Sequence, residues 1–303
     1  MNVVTGVFSY TGSFIARRLL ESGEAVKTLS RRPDPSHPLA SDVAFGALRF
    51  DDEAALAEEL RGATTLYNTF WIRFPRGDAT WASVIANTRV LLRAARRAEV
   101  RRLVHVSVSN PSETSPLPYF RHKAITERLV RDSGLSHAIV RPTLVFGEGD
   151  ILLNNIAWAL RRFPLFVVPT GGGHRVQPVA ALDVARIAVE AAARTDDVAL
   201  DAAGPDVWTF ERLVAEIRQA VGSRTRVIRG PATLSLLLAG AVGRAVGDVM
   251  LTRQELRGLR EDLLVSSEPP DGRIRLRGWL GEHGAALGTA YASELERNWR
   301  EQA

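Results

Sequence analysis

The chain has 303 residues, of which 46% are hydrophobic and 24% charged, and it contains no cysteine. This composition is ordinary for a globular protein and excludes a wholly disordered chain. The absence of thiols excludes disulfides, thiolate nucleophiles, iron–sulfur clusters and zinc ribbons. The net charge is +5, but basic and acidic residues are interspersed, so we expect no nucleic-acid partner. The six histidines are scattered, and no metal site is predicted.

No secretory signal or membrane span is recognisable. Met1 leads directly into an apolar strand without a basic region before it. The apolar run at residues 232–242 is shorter than the roughly 20 residues that span a bilayer, and Arg244 and Asp248 follow it closely. We interpret this run as a buried or interfacial helix and expect a cytoplasmic protein. Peripheral membrane contact and a homodimer stay open as alternatives.

The first two hundred residues alternate short apolar strands with helices. Strands are predicted at residues 3–7, 25–29, 43–50, 64–69, 102–107, 137–140 and 198–202. Helices are predicted at residues 14–20, 53–61, 82–98, 119–133 and 181–193. Repeated strand–helix–strand units favour an α/β fold, with a doubly wound parallel sheet of Rossmann type.

The rest of the chain has a different pattern. Residues 151–170 interrupt the sheet pattern, and three glycines at 171–173 predict a sharp loop. Beyond residue 205 the chain is mainly helical, with one strand predicted at 225–228. We predict a nucleotide-binding domain at 1–205, with an excursion of about 148–178 into the substrate lobe. A smaller, mainly helical substrate lobe is predicted at 206–303.

A glycine-containing turn at residues 5–12 joins the first strand to the first helix. Gly6 and Gly12 permit a tight turn and let backbone N–H groups approach a pyrophosphate at the positive end of the helix. Ser9 stands where a further glycine is usual, so the spacing is weaker than the full fingerprint. An ordinary strand-to-helix turn is the alternative.

The second predicted strand runs into Ser30, Arg31 and Arg32. An acidic residue here would accept hydrogen bonds from the ribose 2′-hydroxyl of NAD, whereas arginine pairs with the 2′-phosphate of NADP. The sequence therefore favours NADP(H), with NAD(H) as the second choice. A solvated, arginine-rich loop is the structural alternative.

Tyr119 and Lys123 are four residues apart on a predicted helix, so their side chains rise from one face. A nearby ammonium lowers the pKa of a phenol, which is near 10 when unperturbed, toward the range of useful proton transfer. Lysine occurs at only two positions, Lys27 and Lys123, in a chain that otherwise uses arginine. This choice indicates a site built around a compact ammonium.

Serines follow the fifth predicted strand at Ser107 and Ser109. The carboxyl ends of parallel strands are where ligands bind in open α/β sheets, and a hydroxyl there could orient a substrate carbonyl. Serines at strand ends also form turns. Of the two, Ser109 is preferred as the catalytic hydroxyl.

These segments resemble the extended and atypical short-chain dehydrogenases/reductases, over about residues 1–205. The NAD-dependent epimerase/dehydratase-like and NmrA-like branch, which includes the nucleotide-binding accessory subunit of respiratory complex I, is the most similar. Further support comes from residues 67–69, Asn87 and the segments 104–107, 141–147, 177–179 and 183–185. Ser9 and Val108 depart from the family pattern.

The resemblance implies a role for each matching residue. Tyr119 would donate or accept the proton, Lys123 would support it and hold the nicotinamide ribose, and Asn87 would support a water relay. Ser109 or Ser107 would orient the substrate. The implied cofactor contacts, besides Lys123 and residues 30–32, are Gly6, Phe8, Ser9, Tyr10, Thr11, Gly12, Asp51, Asp52, Asn68, Thr69, Phe70, Val106, Pro142, Thr143, Leu144 and Val145.

The combined pattern predicts an NADP(H)-dependent oxidoreductase that transfers a hydride to or from a small carbonyl or alcohol substrate, with Tyr119 as general acid or base. A non-catalytic NAD(P)H-binding sensor or assembly subunit is one alternative, and an epimerase or dehydratase that retains its cofactor is another. Residues 71–76, with one tryptophan and two arginines, form the candidate substrate loop, with surface packing as the alternative. Residues 151–158 and the C-terminal helices would complete the substrate pocket.

Overall fold

The computed structural model describes residues 1–170 and 174–299, so the predicted glycine loop at 171–173 lies outside the described residues. The strands are β1 (Asn2–Thr5), β2 (Val26–Ser30), β3 (Ala44–Ala47), β4 (Thr65–Asn68), β5 (Arg102–Val106), β6 (His137–Pro142), β7 (Leu144–Phe146), β8 (Leu165–Pro169), β9 (Arg175–Val176), β10 (Pro178–Ala180), β11 (Val198–Ala202), β12 (Trp208–Thr209) and β13 (Arg226–Gly230). The helices are α1 (Tyr10–Glu21), α2 (Glu53–Leu60), α3 (Trp81–Arg97), α4 (Pro118–Arg131), α5 (Ile151–Arg162), α6 (Ala181–Ala192), α7 (Phe210–Ala220), α8 (Ala232–Val246), α9 (Arg253–Arg260), α10 (Leu276–His283) and α11 (Glu294–Asn298). They belong to two compact units.

The first unit, residues 1–142 and 181–202, contains the parallel sheet. Its described strands form one seven-stranded sheet in the order β11-β6-β5-β4-β1-β2-β3, and every pair is parallel. The chain starts in the middle at β1, runs outward to β3 and returns to β4 on the other side of β1. The predicted doubly wound parallel sheet is therefore confirmed, and its direction reverses between β1 and β4, where such sheets open a ligand crevice.

Helices flank this sheet and account for its apolar strands. α1 packs against α6, while α3 packs against both α2 and α4. Every residue of β1, β4 and β5 is buried, as expected for strands covered on both faces. β3 is different because it pairs only with β2, and Phe45 stays 45% exposed. This edge position explains why β3 is shorter than the strand predicted at 43–50.

Local caps set the positions of the helices that carry candidate residues. Thr80 and Ser83 form a capping box at the start of α3. Pro118 occupies the first turn of α4, where its missing N–H costs nothing. Tyr119 therefore lies in the first turn of α4, and Lys123 follows one turn later.

The second unit comprises the described residues of 143–180 and 203–299. Its core is mainly helical and is built around the buried side chains of Phe146, Leu153, Trp208 and Leu213. It also contains short strand pairs: β7 with β10, β9 with β12, and β8 with β13. The strand predicted at 225–228 corresponds to β13, and its partner β8 lies in the region that carried no strand prediction.

Among the described residues, none of the helices combines the length and the hydropathy needed to cross a bilayer. The same residues contain no group of three or more histidine, aspartate or glutamate side chains arranged to hold a metal ion.

Candidate active site

The turn after β1 is built around its two glycines. Gly6 has a φ of +74°, in the left-handed region that favours glycine. A Cβ on Gly12 would lie 2.1 Å from the Gly6 carbonyl oxygen, so α1 can approach the turn only with glycine at this position. Ser9 has a φ of −97°, which any residue adopts, and both its backbone N–H and its hydroxyl donate to the Gly6 carbonyl, at 2.8 and 2.6 Å.

The first turn of α1, which contains Tyr10 and Thr11, has no side-chain cap. The positive end of the helix dipole therefore faces the turn without a protein side chain to neutralise it. The turn has the shape and charge that phosphate binding requires, although Ser9 replaces a glycine.

Residues after β2 lie against this turn. The Phe8 and His37 rings pack with their centroids 5.2 Å apart. Burial lowers the pKa of His37, Asp34 opposes this effect, and Arg17 adds to it. Arg31 and Arg32 are exposed, and within the described residues neither guanidinium has an ion pair or hydrogen bond.

The acidic residues after β3 have different surroundings. Asp52 is the N-cap of α2, and its carboxylate accepts a hydrogen bond from the Ala55 N–H at 2.9 Å. Asp51 is exposed and lies 3.6 Å from Arg49. Of the two predicted cofactor contacts, only Asp51 has a carboxylate that is not occupied in capping a helix.

A hydrogen-bonded group connects the ends of β1, β4 and β5. The Thr5 hydroxyl donates to Asn68 at 3.2 Å and accepts from the Thr69 N–H at 2.8 Å. Asn68 also accepts from the Phe70 N–H at 3.1 Å and lies 3.1 Å from Nδ1 of His105. Asn68 is fully buried, so its amide fixes the backbone of the predicted cofactor contacts Thr69 and Phe70.

Tyr119 and Lys123 converge at the carboxyl end of β5. Lys123 is 3% exposed, and its Nζ donates to the carbonyl of Val106, the last residue of β5, at 2.9 Å. The same Nζ lies 4.2 Å from the centre of the Trp71 ring, and the Tyr119 ring meets Trp71 edge-on at 5.8 Å. Both side chains thus face one space, which Trp71 covers.

Aromatic rings surround this pair. We define the aromatic cluster as Trp71, Trp81, Tyr119 and His122. Trp81 lies 5.7 Å from Trp71 and stacks on His122 at 5.1 Å. The Trp71 Nε1 is buried and has no hydrogen-bond partner in the described part of the chain. Of the predicted substrate loop at 71–76, Trp71 is therefore at the site.

A buried carboxylate lies one helical turn beyond Lys123. Glu127 is 1% exposed and accepts two hydrogen bonds from Arg141, at 2.9 and 2.6 Å, and one from Arg131 at 2.7 Å. Burial would raise the pKa of Glu127, but hydrogen bonding from Arg141 and Arg131 outweighs it and holds the pKa below its ordinary value. Sequence reasoning missed Glu127, although its spacing of four from Lys123 was a usable signal.

Burial is the main cause of the pKa shifts of Lys123 and His105. It lowers the pKa of Lys123 to about 7, against the opposing charge of Glu127. It also lowers the pKa of His105 to about 3, and Lys123 adds to this effect. His105 is therefore neutral, as expected for a histidine in a fully buried strand. Its Nδ1 accepts from Asn68, so the ring hydrogen is on Nε2.

The remaining candidate residues are less closely connected to this pair. Ser109 is fully buried, and its N–H donates to the Pro142 carbonyl at 2.9 Å, whereas the Ser107 hydroxyl is buried and has no hydrogen-bond partner in the described part of the chain. Asn87 is half-buried on α3, and no hydrogen bond found among the described residues joins its side chain to Tyr119 or Lys123. The role of Asn87 in a water relay stays a prediction.

The predicted nicotinamide contacts are divided between the units. Pro142 ends β6 in the first unit, whereas Thr143, Leu144 and Val145 belong to the second. There the Thr143 hydroxyl donates to the Gln177 carbonyl at 2.5 Å. Trp158 of the predicted pocket segment is 7% exposed and packs against Tyr291, so it serves the core of the second unit.

Comparison with known proteins gives a family match and a set of relatives. A family model described as the NAD dependent epimerase/dehydratase family matches residues 2–201. An uncharacterized protein of Mycobacterium tuberculosis is 29% identical over 217 residues, which are 71% of this chain and 23% of that protein. This chain therefore spans about a quarter of the length of that relative.

Two further matches cover most of both chains. The mitochondrial NADH-ubiquinone oxidoreductase 40 kDa subunit of Neurospora crassa is 24% identical over 274 residues, 88% of this chain and 72% of that protein. The crystal structure of an NADPH-dependent quinone oxidoreductase from Escherichia coli superposes with a TM-score of 0.73 and 20% identity, covering 95% of this chain and 99% of that one. At this identity, the structural likeness shows the fold alone.

Glu127→Gln should destabilise the protein by about 3 kcal/mol at neutral pH, because it leaves the partly buried Arg141 without its carboxylate. The folded pKa of Glu127 lies below its ordinary value of 4.5, so the difference from wild type should shrink as pH falls below about 4.5. Urea unfolding measures both effects. Glu58→Gln, which disrupts an exposed pair with Arg61, should cost less than about 1 kcal/mol. Equal losses in the two variants would contradict the role given to Glu127.

Lys123→Met should change how stability depends on pH. The folded pKa of Lys123, about 7, lies below its ordinary value of 10.5, so between these values the unfolded chain holds a proton that the folded chain has released. The free energy of unfolding of wild type should therefore rise with pH, relative to Lys123→Met, from about pH 7 to about pH 10.5. Below about pH 7 the difference should be constant. Denaturant unfolding across this range measures it, and a difference that stays flat throughout would show that Lys123 titrates normally.

Proposed function

Because the chain belongs to the NAD-dependent epimerase/dehydratase family, we propose that it is an NADP(H)-dependent oxidoreductase acting on a small carbonyl or alcohol substrate. The observation that carries this proposal is that Tyr119 and the buried Lys123, one helical turn apart, both contact Trp71, with Lys123 bonded to the carboxyl end of β5. This edge of a doubly wound sheet is where ligands bind. In the proposal the nicotinamide supplies or accepts the hydride, and the protein handles the proton.

The turn at 6–12 fits a dinucleotide. A Cβ at Gly12 would fill the space between the turn and α1, and the first turn of α1 has no side-chain cap. Arg31 and Arg32 offer unpaired guanidinium groups after β2, where they support a contact to a 2′-phosphate. These features support a dinucleotide and favour NADP(H) over NAD(H).

Tyr119 is the proposed general acid in reduction and general base in oxidation. Its hydroxyl would protonate the substrate oxygen as negative charge develops there. Lys123 holds a positive charge beside the phenol and stabilises the phenolate that remains. The proton of Lys123 is itself labile because burial has brought its pKa to about 7.

The substrate hydroxyl contact is assigned to Ser109. Ser107 immediately follows β5, and its buried hydroxyl has no hydrogen-bond partner among the described residues, so Ser107 is the second candidate for this contact. Ser109 lies two residues further, where the chain has left β5. A hydrogen bond from Ser109 to the substrate oxygen would orient the carbonyl toward Tyr119.

In the proposed reaction the Trp71 side chain has to make room for a bound ligand. Its ring lies on the Lys123 ammonium and touches Tyr119, so the pair is shielded in this structure. A ligand that contacts Lys123 has to displace the indole or stack upon it. The unpartnered Trp71 Nε1 is consistent with a side chain whose final position depends on a ligand, since buried polar groups usually have partners.

The position of Trp71 over Tyr119 and Lys123 also favours a second candidate function, an NADP(H)-binding protein without turnover. In that case Trp71 would stay on Lys123 and only the dinucleotide turn would be used. The same fold supports both uses, so the chemistry of the site has to distinguish them. The two candidates differ in what removal of the Tyr119 hydroxyl does.

Tyr119→Phe should lower kcat by about 100-fold or more, because it removes the general acid, and should leave the Kd for NADPH within about twofold of wild type. NADPH oxidation with a panel of aldehydes, ketones and quinones measures turnover, and calorimetry measures binding. Tyr291→Phe is the matched control, because it removes a hydroxyl that contacts Asp248 in the second unit. Unchanged turnover in Tyr119→Phe would refute the assignment, and no turnover in wild type with any of these substrates would favour the non-catalytic candidate.

Combined Arg31→Ala and Arg32→Ala should raise the Kd for NADPH by about 10- to 100-fold, the loss expected for hydrogen bonds to a charged group. The Kd for NADH should hardly change, because NADH has no 2′-phosphate. Arg61→Ala, which removes an exposed arginine paired with Glu58, serves as the control and should affect neither. Tighter binding of NADH than NADPH by the wild-type protein would overturn the cofactor preference.

A further inference from the structure

In α8 the fully buried residues are small, and several of the large apolar residues are exposed. Its fifteen residues contain no charged side chain before Arg244. The two buried residues are the small Ser235 and Gly243. Ser235 donates to the Val167 carbonyl at 3.3 Å, and a Cβ on Gly243 would lie 2.6 Å from the Asp248 carbonyl oxygen. Besides these two small residues, Ala232 and the half-buried Leu236 pack against the core of the second unit.

Three of the four leucines of α8 are exposed, and the fourth, Leu236, packs against the core. Leu237 is 68% exposed, Leu238 38% and Leu234 36%. Ala241 and Ala245, also exposed, continue the same stripe at helical spacing. Of the two alternatives given for this run, a buried or an interfacial helix, the exposed leucines contradict the first. A helix on a water-covered surface normally places polar residues outward, and this one does the reverse.

The neighbouring strands extend this apolar surface. β13 leads through Pro231 into α8 and pairs with β8. Ile228 of β13, 36% exposed, is in register with Val167, the residue whose carbonyl holds Ser235. We define the apolar face as Leu165, Ile228, Leu234, Leu237 and Leu238. Exposed apolar side chains that gather on one surface of a protein mark an interaction site.

Positive charge flanks the apolar face. Arg224 and Arg226 precede it and Arg244 ends it. All three are exposed, and in the described part of the chain none has a side-chain ion pair or hydrogen bond. The nearest acidic residues in sequence are already engaged. Glu216 lies 3.8 Å from Arg212 and 3.4 Å from Arg277, and Glu211 pairs with Arg229. Asp248 accepts from Tyr291 and from backbone N–H groups of α11. The flanks therefore keep a net positive charge.

We propose that the apolar face and its three arginines bind an anionic lipid bilayer, with α8 lying in the interface parallel to the membrane plane. A helix of 15 residues is about 22 Å long, shorter than the roughly 30 Å hydrocarbon core. Leucines on one side and arginines at the ends suit the boundary between acyl chains and anionic headgroups. A two-fold contact between two copies would bring like-charged arginine flanks together, which disfavours a second copy as the occupant.

Vesicle co-sedimentation of the full chain tests this proposal. Wild type should bind phosphatidylcholine vesicles that contain about one third phosphatidylglycerol, and bind more weakly as salt increases. Leu237→Glu/Leu238→Glu should reduce the partition coefficient at least tenfold, because it places charge in the buried face. Arg224→Glu/Arg226→Glu should reduce binding to the anionic vesicles and leave binding to pure phosphatidylcholine unchanged. Leu182→Glu, which changes a 49% exposed leucine on α6, is the matched control and should bind as wild type does.

Hydrogen exchange on the wild-type protein provides a measurement that needs no variant. Anionic vesicles should protect amides of residues 232–246 and leave those of α6 unchanged. The proposal fails if wild type does not bind the anionic vesicles, if the α8 variant binds as well as Leu182→Glu, or if α8 gains no protection. It also fails if sedimentation velocity shows a dimer that Leu237→Glu/Leu238→Glu dissociates and vesicles do not, since the occupant is then a second copy. Neither measurement uses cofactor or turnover, so the result is independent of the proposed function.

Discussion

The buried Glu127 carboxylate fixes the geometry on which the candidate site depends. A charge removed from water requires compensation, and Glu127 receives it from Arg141 on β6 and Arg131 on its own helix. Its two bonds from Arg141 hold α4 against β6, and the Lys123 bond to Val106 holds the same helix against the end of β5. Two adjacent turns of α4, at Lys123 and Glu127, are thus bonded to neighbouring strands, which fixes the position of the helix along the sheet. Tyr119 lies one turn before Lys123, so its position is fixed as well.

The crevice between β1 and β4 is organised in a comparable way by neutral groups. Strand order alone places the ends of these strands together, because the direction of winding reverses there. The Thr5 hydroxyl then connects the two loops by binding Asn68 and the Thr69 N–H. The buried Thr5 and Asn68 side chains thus constrain the loops that leave the carboxyl edge of the sheet at β1 and β4. Ionic hydrogen bonds to Glu127 hold α4, the helix that carries Tyr119 and Lys123. Neutral hydrogen bonds hold the backbone of Thr69 and Phe70, which is predicted to contact the cofactor.

Much of the fold could be predicted from the sequence because its strands are buried on both faces and its helices have clear periodicity. The predicted strand at 198–202 coincides with β11, and the helix at 82–98 differs from α3 by one residue at each end. The strand predictions were wrong where pairing with a distant part of the chain decides whether a strand forms or how long it is. β8 forms against β13, sixty residues away in register, and local sequence carries no signal for that partner. β3 is short because it is an edge, which depends on the strand order of the whole sheet.

The candidate site was predictable to the extent that it lies within one helix. The spacing of Tyr119 and Lys123 put both on one face, whereas the placement of Trp71 on Lys123 joins residues separated by a predicted helix and a predicted strand. Glu127 escaped notice because a glutamate between arginines in a helix usually faces solvent. The same limit applied to residues 232–242, where composition could not show that Ser235 and Gly243 face inward and three of the four leucines outward. Each unit thus departs from ordinary burial in one place, with a charged network inside the first and an apolar helix face outside the second. Arg141 and Arg131 compensate the buried charge within the protein, whereas nothing among the described residues covers the exposed leucines, so the two departures have different explanations. The first positions a helix that carries candidate residues, and the second is explained by a binding surface.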